Sequence, residues 1–315
     1  MRRIFLVLAM FAAACSDDDP EPQVPTHPEG VLGPRLTLAD RPFGVAVSRD
    51  SVILATQLDA AAMGRGRTNL NTFSGSVAVG SVPTSVAIAP SGVAYVANQF
   101  SGDVGVVPAG ANAQTGSVAV PGDPFYVTVS SDSRTVYVSS NIDSVFVINT
   151  ATSAITARIA VGADPNGLAL SPNGSRLYVT NMSSGNLSDV DLGTSTVSRT
   201  ITLGGVPQGV VASPDGNEIY VANEGGLLQV INVGTGNVTT GGAGTGSLFG
   251  LALSPDGEVL IGTRPSAGEV VLINRATRQV RTTVTTGGAP RRVALDLMGT
   301  MAVVANETGW VDLIR

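Results

Sequence analysis

The two residue types that most often carry catalysis are scarce in this 315-residue sequence, which has one histidine, His27, and one cysteine, Cys15. A serine or cysteine nucleophile needs a neighbouring base, and histidine is the usual one. His27 lies in a proline-rich, acidic segment, residues 16–34, where we expect a solvated linker residue. The sequence therefore predicts no catalytic residues and favours a non-catalytic role, while leaving open whether the protein is an enzyme.

Metal and cofactor chemistry is limited by the same shortage. Zinc, copper and haem sites depend largely on histidine or cysteine ligands, so the sequence predicts no metal site of this kind and no cofactor. Carboxylates remain as possible Ca²⁺ ligands, and those that precede repeated apolar segments are Asp40, Asp123 and Asp164. We interpret these aspartates as support for the local turn, with a Ca²⁺ site as the alternative.

Large and chemically varied side chains recur at one position of a repeat of about 41 residues. The residues at this position are Phe43, Thr84, Phe125, Asn166, Gln208, Phe249 and Arg291. One residue further along stand Tyr126 and Arg292, where four other copies have glycine. Variation at a fixed position is what a recognition surface needs. The predicted binding residues are Phe43, Phe125, Tyr126, Gln208, Phe249, Arg291 and Arg292, with simple packing as the alternative for the phenylalanines.

The repeat itself is defined by a residue that opens each apolar segment. These anchors are Pro42, Pro83, Pro124, Pro165, Pro207, Leu248 and Pro290, at intervals of 41, 41, 41, 42, 41 and 42 residues. About 40 residues is the length of one four-stranded propeller blade. Seven copies at this spacing predict seven blades.

Each copy contains the same series of strand and turn signals. An apolar segment such as GLALS (167–171) is followed by a turn such as SPDG (213–216), where aspartate suits the turn and glycine its exit. Three further strands follow, and LYVTN (177–181) is a clear second strand. The fold class is therefore all-β, a seven-bladed β-propeller of four-stranded antiparallel blades. Copy one departs most, because residues 61–70 are rich in glycine and arginine, and we expect a frayed outer strand or an altered loop there.

Three short motifs make the assignment more specific. Y-V-x-N stands at 178–181 and 220–223, V-x-V-I-N is represented by VFVIN at 145–149, and V-G-x-x-P by VGADP at 161–165. In this combination, from residue 35 to the end, the sequence resembles the YVTN family of β-propeller repeats. The resemblance implies an exported or surface protein of bacteria or archaea. It also implies that ligands meet the face where the fourth-to-first and second-to-third connections gather around the central channel.

The ends of the repeat region predict how the ring closes. The last copy supplies three strands, and residues 35–39 have the form of the missing fourth. We expect residues 35–39 to pair with residues 311–314 and to remove the open edges of the array. The expected organisation is a signal peptide (1–14), an acylated tether (15–34) and the propeller (35–315).

The first fifteen residues predict export and lipid attachment. Two arginines, an apolar run too short to span a bilayer, and small residues before Cys15 form an export signal. The small residues before the cysteine resemble the lipobox of bacterial lipoproteins, which implies acylation of Cys15. Ser16 implies, by the same resemblance, delivery to the outer membrane, with the periplasmic or surface side left open. An ordinary secretory signal with a chance cysteine is the alternative.

Charge and composition narrow the possible partners. The formal net charge of −6 gives no basic surface for nucleic acid. We therefore expect a lipid-anchored, monomeric propeller of the cell envelope that binds a protein, peptide or glycan and contacts the membrane only through its lipid. The alternatives are a lactonase-like hydrolase with a channel site and a surface-layer component that self-associates.

Overall fold

Strands and tight turns alternate throughout the described part of the chain. The computed structural model describes residues 26–69, 72–242 and 244–315, which contain 28 strands and no helix. These residues accordingly include no helix that could span a membrane. The strands form seven antiparallel sheets of four strands each. The predicted all-β fold with seven four-stranded blades is confirmed.

Each blade runs outward from the channel in chain order. The innermost strands of blades one to seven are β2 (Pro42–Val47), β6 (Pro83–Ile88), β10 (Pro124–Val129), β14 (Pro165–Leu170), β18 (Pro207–Ala212), β22 (Leu251–Leu253) and β26 (Pro290–Leu295). The second strands are β3 (Val52–Gln57), β7 (Ala94–Asn98), β11 (Thr135–Ser140), β15 (Arg176–Asn181), β19 (Glu218–Asn223), β23 (Val259–Arg264) and β27 (Ala302–Asn306). The third strands are β4 (Ala62–Arg67), β8 (Asp103–Val107), β12 (Ser144–Asn149), β16 (Asn186–Asp191), β20 (Gln229–Asn232), β24 (Glu269–Asn274) and β28 (Trp310–Ile314). The outermost strands are β5 (Gly75–Ala78), β9 (Gly116–Ala119), β13 (Ala154–Ala160), β17 (Thr196–Thr202), β21 (Val238–Thr240), β25 (Val280–Thr285) and, in blade seven, β1 (Leu36–Thr37).

The hydrophobic core lies between neighbouring blades. Between blades two and three, for example, Tyr95 and Val104 belong to one buried cluster with Val136 and Phe146. The second strands are almost entirely buried, whereas an outermost strand such as β13 is mostly exposed. Burial of apolar surface stabilises the fold by roughly 25 cal/mol per Å². Contacts between blades, rather than within them, therefore hold the ring together.

The first hairpin turn of the blades is built on a short polar side chain. The Asp215 carboxylate accepts hydrogen bonds from the Ser213 hydroxyl at 2.5 Å and from the Asn217 backbone amide at 3.0 Å. Asp132 and Asp256 make the equivalent pair of bonds in their own blades. These turns lie where the innermost strands end, on the face opposite the channel mouth.

A buried asparagine at the end of the second strand organises the channel-mouth side of blade five. The Asn223 side-chain oxygen accepts hydrogen bonds from the backbone amides of Val206 (2.8 Å) and Gly225 (2.9 Å). Its amide nitrogen donates to the Gly204 carbonyl (3.0 Å) and the Gln229 side chain (2.9 Å). One side chain thereby joins the second-to-third turn to the connection that arrives from blade four.

The two ends of the propeller pair as the sequence predicts. In β1, Leu36 lies opposite Val311 of β28 in an antiparallel register. Backbone hydrogen bonds also link Val31 to Arg315 and Gly33 to Leu313, each with a 2.7 Å N···O distance. Closure of the ring by the N-terminal strand is therefore confirmed, and the paired segment begins a few residues earlier than expected.

Side chains reinforce this closure. Arg35 donates to the buried carboxylate of Asp312 at 3.0 Å, and its guanidinium lies 4.4 Å from the centre of the Trp310 ring. The Trp310 indole also donates to Asp312, at 2.9 Å. Burial raises the pKa of Asp312 in spite of these donors. Trp310 thus packs beside the closing strand, as its position in the sequence indicates.

The expectation of a frayed strand or altered loop in copy one is wrong. Strand β4 pairs along its whole length with β3 and along most of it with β5. Its glycines leave room for neighbouring side chains, because a Cβ on Gly64 would lie 2.5 Å from Leu38 and 3.1 Å from the Phe73 ring. Glycine therefore serves packing here, which residue propensity alone does not reveal.

The interpretation of His27 as a solvated linker residue is also wrong. The His27 side chain is only 13% exposed, and its Nδ1 lies 2.9 Å from a carboxylate oxygen of Asp256. Its Nε2 lies 2.7 Å from the Arg281 guanidinium, and Arg281 also pairs with Glu29 at 3.0 Å. Contacts with the propeller thus begin at Thr26, whose hydroxyl donates to Asp256. Charged partners on blade six fix a segment whose composition suggests only solvation.

Candidate functional site

The predicted binding residues stand where the innermost strands begin, at the mouth of the channel. In blade three the register between β10 and β11 shifts between Pro124 and Val127, and in blade seven the register between β26 and β27 shifts between Pro290 and Val293. Such an irregularity re-aims the side chains that it contains. In these blades it releases the residues just after the anchor from the regular ladder, so that their side chains can turn towards the channel.

Hydroxyl groups of the preceding blade fix the backbone at these positions. Each donates a hydrogen bond to the carbonyl oxygen of a predicted binding residue. The pairs are Thr84 with Phe125, Thr180 with Gln208, and Thr263 with Arg291, each at 2.6 Å. Because these carbonyls are held between blades, the side chains that they carry are presented from a rigid frame.

Three phenylalanines from blades one, three and six meet at the mouth. The Phe43 ring lies edge-on to Phe125 at 6.0 Å and to Phe249 at 5.8 Å between ring centres. Phe43 and Phe249 are only 9% and 5% exposed, whereas Phe125 is partly open to solvent. Phe43 and Phe249 are therefore largely buried by packing, and Phe125 is the most accessible of the three rings.

Arg292 crosses the channel beneath this aromatic cluster. Its guanidinium carbon lies 4.8 Å from the centre of the Tyr126 ring, 4.9 Å from Phe249 and 5.9 Å from both Phe43 and Phe125. The residue is 6% exposed, and burial lowers the pKa of its guanidinium. A residue of blade seven thus touches blades one, three and six, which shows that the predicted residues converge on one place.

Amide side chains connect this guanidinium to blade five. Arg292 donates to the Asn166 side-chain oxygen at 2.6 Å, and the Asn166 amide donates to Gln208 at 2.6 Å. Gln208 in turn donates to the Glu224 carboxylate at 2.7 Å. The polar groups of blades four, five and seven therefore form one continuous chain at the mouth.

Arg291 points to the outer part of the mouth. It donates to Glu307 at 2.5 Å, and the same carboxylate accepts from Arg41 at 2.6 Å. The Arg291 guanidinium also lies 4.9 Å from the centre of the Phe249 ring. Burial raises the pKa of Glu307, but its bonds with the two arginines lower it further, so the net shift is downward.

A pocket of about 320 Å³ opens between these groups. Its lining combines aromatic, amide and charged side chains, contributed mainly by Phe125, Asn166, Gln208, Phe249 and Arg291. A volume of this order lies at the small end of ligand sites in proteins. It matches one or two inserted side chains or a single small ligand.

Apolar residues beside the pocket are not apparent from the repeat position alone. Phe100 and Ile142 occupy the second-to-third turns of blades two and three, and Phe100 is 75% exposed. Each follows a residue of the pocket wall, Gln99 or Asn141. A large apolar residue at this turn position is the available signal, because the equivalent residues of the other copies are Asp59, Ser183, Gly225, Ser266 and Thr308.

The three aspartates named as possible Ca²⁺ ligands are each tied into a local turn. Asp123 accepts a hydrogen bond from Asn141, and Asp164 accepts one from Ser183. Asp40 likewise accepts from the backbone amide of Asp59, at 2.9 Å. These bonds are the turn contacts that the sequence indicates. In the described residues, groups of three possible metal ligands within reach of one ion do not occur at the mouth.

One such group does occur on the opposite face. His27, Asp256 and Glu258 bring ligand atoms within 4.8 Å of one another. The His27 nitrogens already face Asp256 and Arg281, and the Asp256 carboxylate also accepts from Thr26 and Ser254. These contacts attach the N-terminal segment to blade six. They explain why His27, Asp256 and Glu258 lie together. Cys15, the predicted lipidation site, lies outside the described residues.

The fold and the pocket at its mouth define a seven-bladed β-propeller built from repeats. Residues 86–232 match the family model described as YNCE-like beta-propeller, which confirms the resemblance to YVTN-type repeats over that segment. A solved chain of hydrazine synthase from Kuenenia stuttgartiensis is similar in structure, with a TM-score of 0.81, 21% identity, and coverage of 87% of this chain and 95% of that chain. At this identity the likeness concerns the fold. No curated protein matches the sequence.

Proposed function

We propose that the protein is a non-catalytic binding module that receives a protein or peptide partner at the channel mouth. The observation that carries this proposal is the convergence of residues from all seven blades around one pocket. Aromatic and arginine side chains are the residues most often responsible for binding energy at interfaces. Here they stand on backbone positions that neighbouring blades hold in place.

The surroundings of the pocket favour a peptide or protein over a glycan. Exposed Phe100 and Ile142 extend the apolar surface from Phe125 across blades two and three. Such a surface suits a partner that inserts one side chain into the pocket and lays others across the turns. The Asp123 and Asp164 carboxylates each accept a hydrogen bond from a turn side chain, Asn141 or Ser183, which assigns them a structural role.

Selection of peptides from a random library on the immobilised full chain tests this function. The selected peptide should bind Phe125→Ala at least tenfold more weakly than the unsubstituted protein, because the accessible ring at the pocket is lost. Leu297→Ala is the matched control, since Leu297 is 61% exposed in a first hairpin turn on the opposite face. The affinity of Leu297→Ala for the selected peptide should change less than twofold.

The outcome that contradicts the proposal is equally direct. Equal affinities for Phe125→Ala and the unsubstituted protein, or a loss confined to Leu297→Ala, would place binding elsewhere. Melting temperatures of both variants serve as the check on folding. Phe125 is partly exposed, so its truncation should leave the fold in place.

We also propose that a lipid on Cys15 anchors the protein in the outer membrane of the cell envelope. Support comes from the export signal and from the contact of Thr26 with the propeller. Thr26 contacts Asp256 on the face opposite the mouth. The residues between Cys15 and Thr26 can span at most about 40 Å. A propeller attached to the membrane through that face presents its channel mouth away from the membrane.

Fractionation of cells that carry Cys15→Ser tests the anchor. The substituted protein should move from the membrane fraction to the soluble fraction, because acylation needs the thiol. The exchange Ser16→Ala leaves the cysteine in place and should keep the protein in the membrane fraction. An unchanged distribution of Cys15→Ser would contradict lipidation at this residue.

A further inference from the structure

We propose that the channel-mouth site recognises a carboxylate of its ligand through Arg292. This inference rests on the proposed binding function and names the chemical group that the site selects. The carboxylate belongs to a peptide, either at its C-terminus or in an aspartate or glutamate side chain. Both sources present the same planar pair of oxygens, which matches the fork of a guanidinium.

The first argument is the unpaired charge of Arg292. The guanidinium is always protonated at physiological pH and carries five N–H donors. In the described residues, no carboxylate oxygen lies within 4.0 Å of it, and its buried Nε has no hydrogen-bond partner. A buried charge without a paired anion is costly. An incoming carboxylate would supply the missing partner.

The groups that surround Arg292 supply neither a paired anion nor an acceptor for its Nε–H. The aromatic rings of Tyr126 and Phe249 attract the cation through their faces, but they cannot accept its Nε–H in the way that an oxygen can. Asn166 accepts one bond from the terminal nitrogen. Two amide side chains separate the guanidinium from Glu224, the carboxylate at the far end of the polar chain.

The second argument is the exceptional position of Arg292 in the repeat. The four copies with glycine there bring neighbouring backbones close together. A Cβ on Gly167 would lie 2.5 Å from the Gln208 carbonyl oxygen, and one on Gly250 would lie 2.2 Å from that of Arg291. The scaffold therefore favours the smallest residue at this position. A long charged side chain in blade seven departs from the scaffold pattern and indicates a role in recognition.

The third argument is a route from the pocket. Arg292 does not itself line the pocket, whereas Phe125 does, and this partly exposed ring has its centre 5.9 Å from the Arg292 guanidinium carbon. A change in its side-chain angle would open Arg292 to a ligand without movement of the blades. Asp123 and Asp164 line the blade-three and blade-four side of the pocket. They repel an anion there and leave the Arg292 side as the favourable place for a carboxylate.

Titration of the full chain with small probes tests the proposal. N-acetylglycine offers a terminal carboxylate, the α-amide of N-acetylaspartate offers a side-chain carboxylate, and N-acetylglycinamide offers none. The reporter is the Arg292 Nε–H resonance in protein labelled with ¹⁵N-arginine, assigned by its absence from Arg292→Met. At constant ionic strength, at least one acid should shift this resonance saturably, with a dissociation constant on the order of millimolar for so few atoms. The neutral amide should not.

Two variants complete the test. Arg292→Met, which keeps an apolar chain of similar length among the rings, should lose binding of the acid at least tenfold by calorimetry. Arg275→Met is the matched control, because Arg275 also lies over an aromatic ring, Tyr220 at 6.0 Å, but pairs with Asp215 in a first hairpin turn on the face opposite the mouth. It should bind the acid as the unsubstituted protein does.

Each result decides a different point. Saturation by only one of the two acids identifies the source of the carboxylate. An unshifted resonance with both acids, an equal shift with the neutral amide, or unchanged binding in Arg292→Met overturns the inference. A peptide selected on the mouth that binds Arg292→Met normally and Phe125→Ala poorly would leave the proposed function intact while removing the role of Arg292.

Discussion

At the scale of single residues, one repeat position serves two purposes. Phe43 and Phe249 fill the mouth of the channel, while Phe125 at the same position remains partly open. The sequence predicts that these rings occupy equivalent places, because the repeat fixes their register. It does not predict which ring is covered, since that depends on Arg291 and Arg292 of a blade far away along the chain.

Truncation of Phe249 should be costly for stability. Phe249→Ala removes a buried ring and leaves a cavity, so the free energy of unfolding should fall by about 3 kcal/mol. Phe100→Ala is the matched comparison, because a ring that is mostly exposed should change stability by less than about 0.5 kcal/mol. Denaturant unfolding of both variants measures the difference. Similar small losses would show that Phe249 is not packed as described.

A buried tyrosine should make stability depend on alkaline pH. Burial, together with a hydrogen bond to the Glu218 carboxylate, raises the pKa of Tyr220 to about 12. The unfolded chain has an ordinary pKa of about 10, so between these values the folded state retains a proton that the unfolded state has lost. Stability from this group is therefore full below pH 10 and is lost as the pH rises toward 12.

Comparison with Tyr220→Phe isolates this effect. At neutral pH the variant should be less stable, because the Tyr220 hydroxyl no longer accepts the 2.6 Å hydrogen bond from Arg275. The difference in free energy of unfolding should shrink as the pH rises above 10, since only the unsubstituted protein carries the titrating hydroxyl. A difference that stays constant up to pH 11.5 would contradict the raised pKa.

At the scale of strands, close approach of the innermost strands demands glycine. Gly250→Ala would bring a Cβ to 2.2 Å from the backbone oxygen of Arg291, so the strands must move apart. Overpacking of this kind costs about 1–3 kcal/mol. Gly75→Ala is the matched control in an outermost strand, where none of the described residues has a heavy atom within 4 Å of the added Cβ. Denaturant unfolding should show a clear loss for the first variant and almost none for the second.

Strand prediction succeeds where the repeat is regular and fails where one strand is exceptional. The period and the Y-V-x-N motif locate the strands of blades four and five, because both use the same type of turn and end the second strand in a buried asparagine, Asn181 or Asn223. In blade one, β4 has a composition unlike that of any other third strand. Its glycines make room for Leu38 and Phe73, and such compensation between distant residues cannot be read from local propensity.

At the scale of the whole molecule, the N-terminal segment has two roles. Residues 31–38 close the ring by pairing with β28, and the residues around His27 attach the chain to blade six. The sequence predicts the first role, because the last copy lacks a fourth strand and residues 35–39 have the form of one. The second depends on Asp256 and Arg281, which lie more than two hundred residues away, and no local pattern points to them.

Shortening the chain from its N-terminus tests whether this segment stabilises the fold. A protein that begins at residue 26 should melt as the full chain does. One that begins at residue 39 lacks β1, exposes the edge of β28 and should melt several degrees lower with a broader transition. Differential scanning calorimetry measures both. Identical transitions for the two shortened proteins would show that ring closure contributes nothing to stability.

The mouth of the channel as the docking face is the central claim of this account. Site-specific photocrosslinking in intact cells tests it most directly, with p-benzoylphenylalanine in place of Phe125 at the mouth or of Leu297 on the opposite face. We predict a crosslinked partner from position 125 and none from position 297. A crosslinked product from position 297 alone, or equal products from both positions, would contradict docking at the mouth.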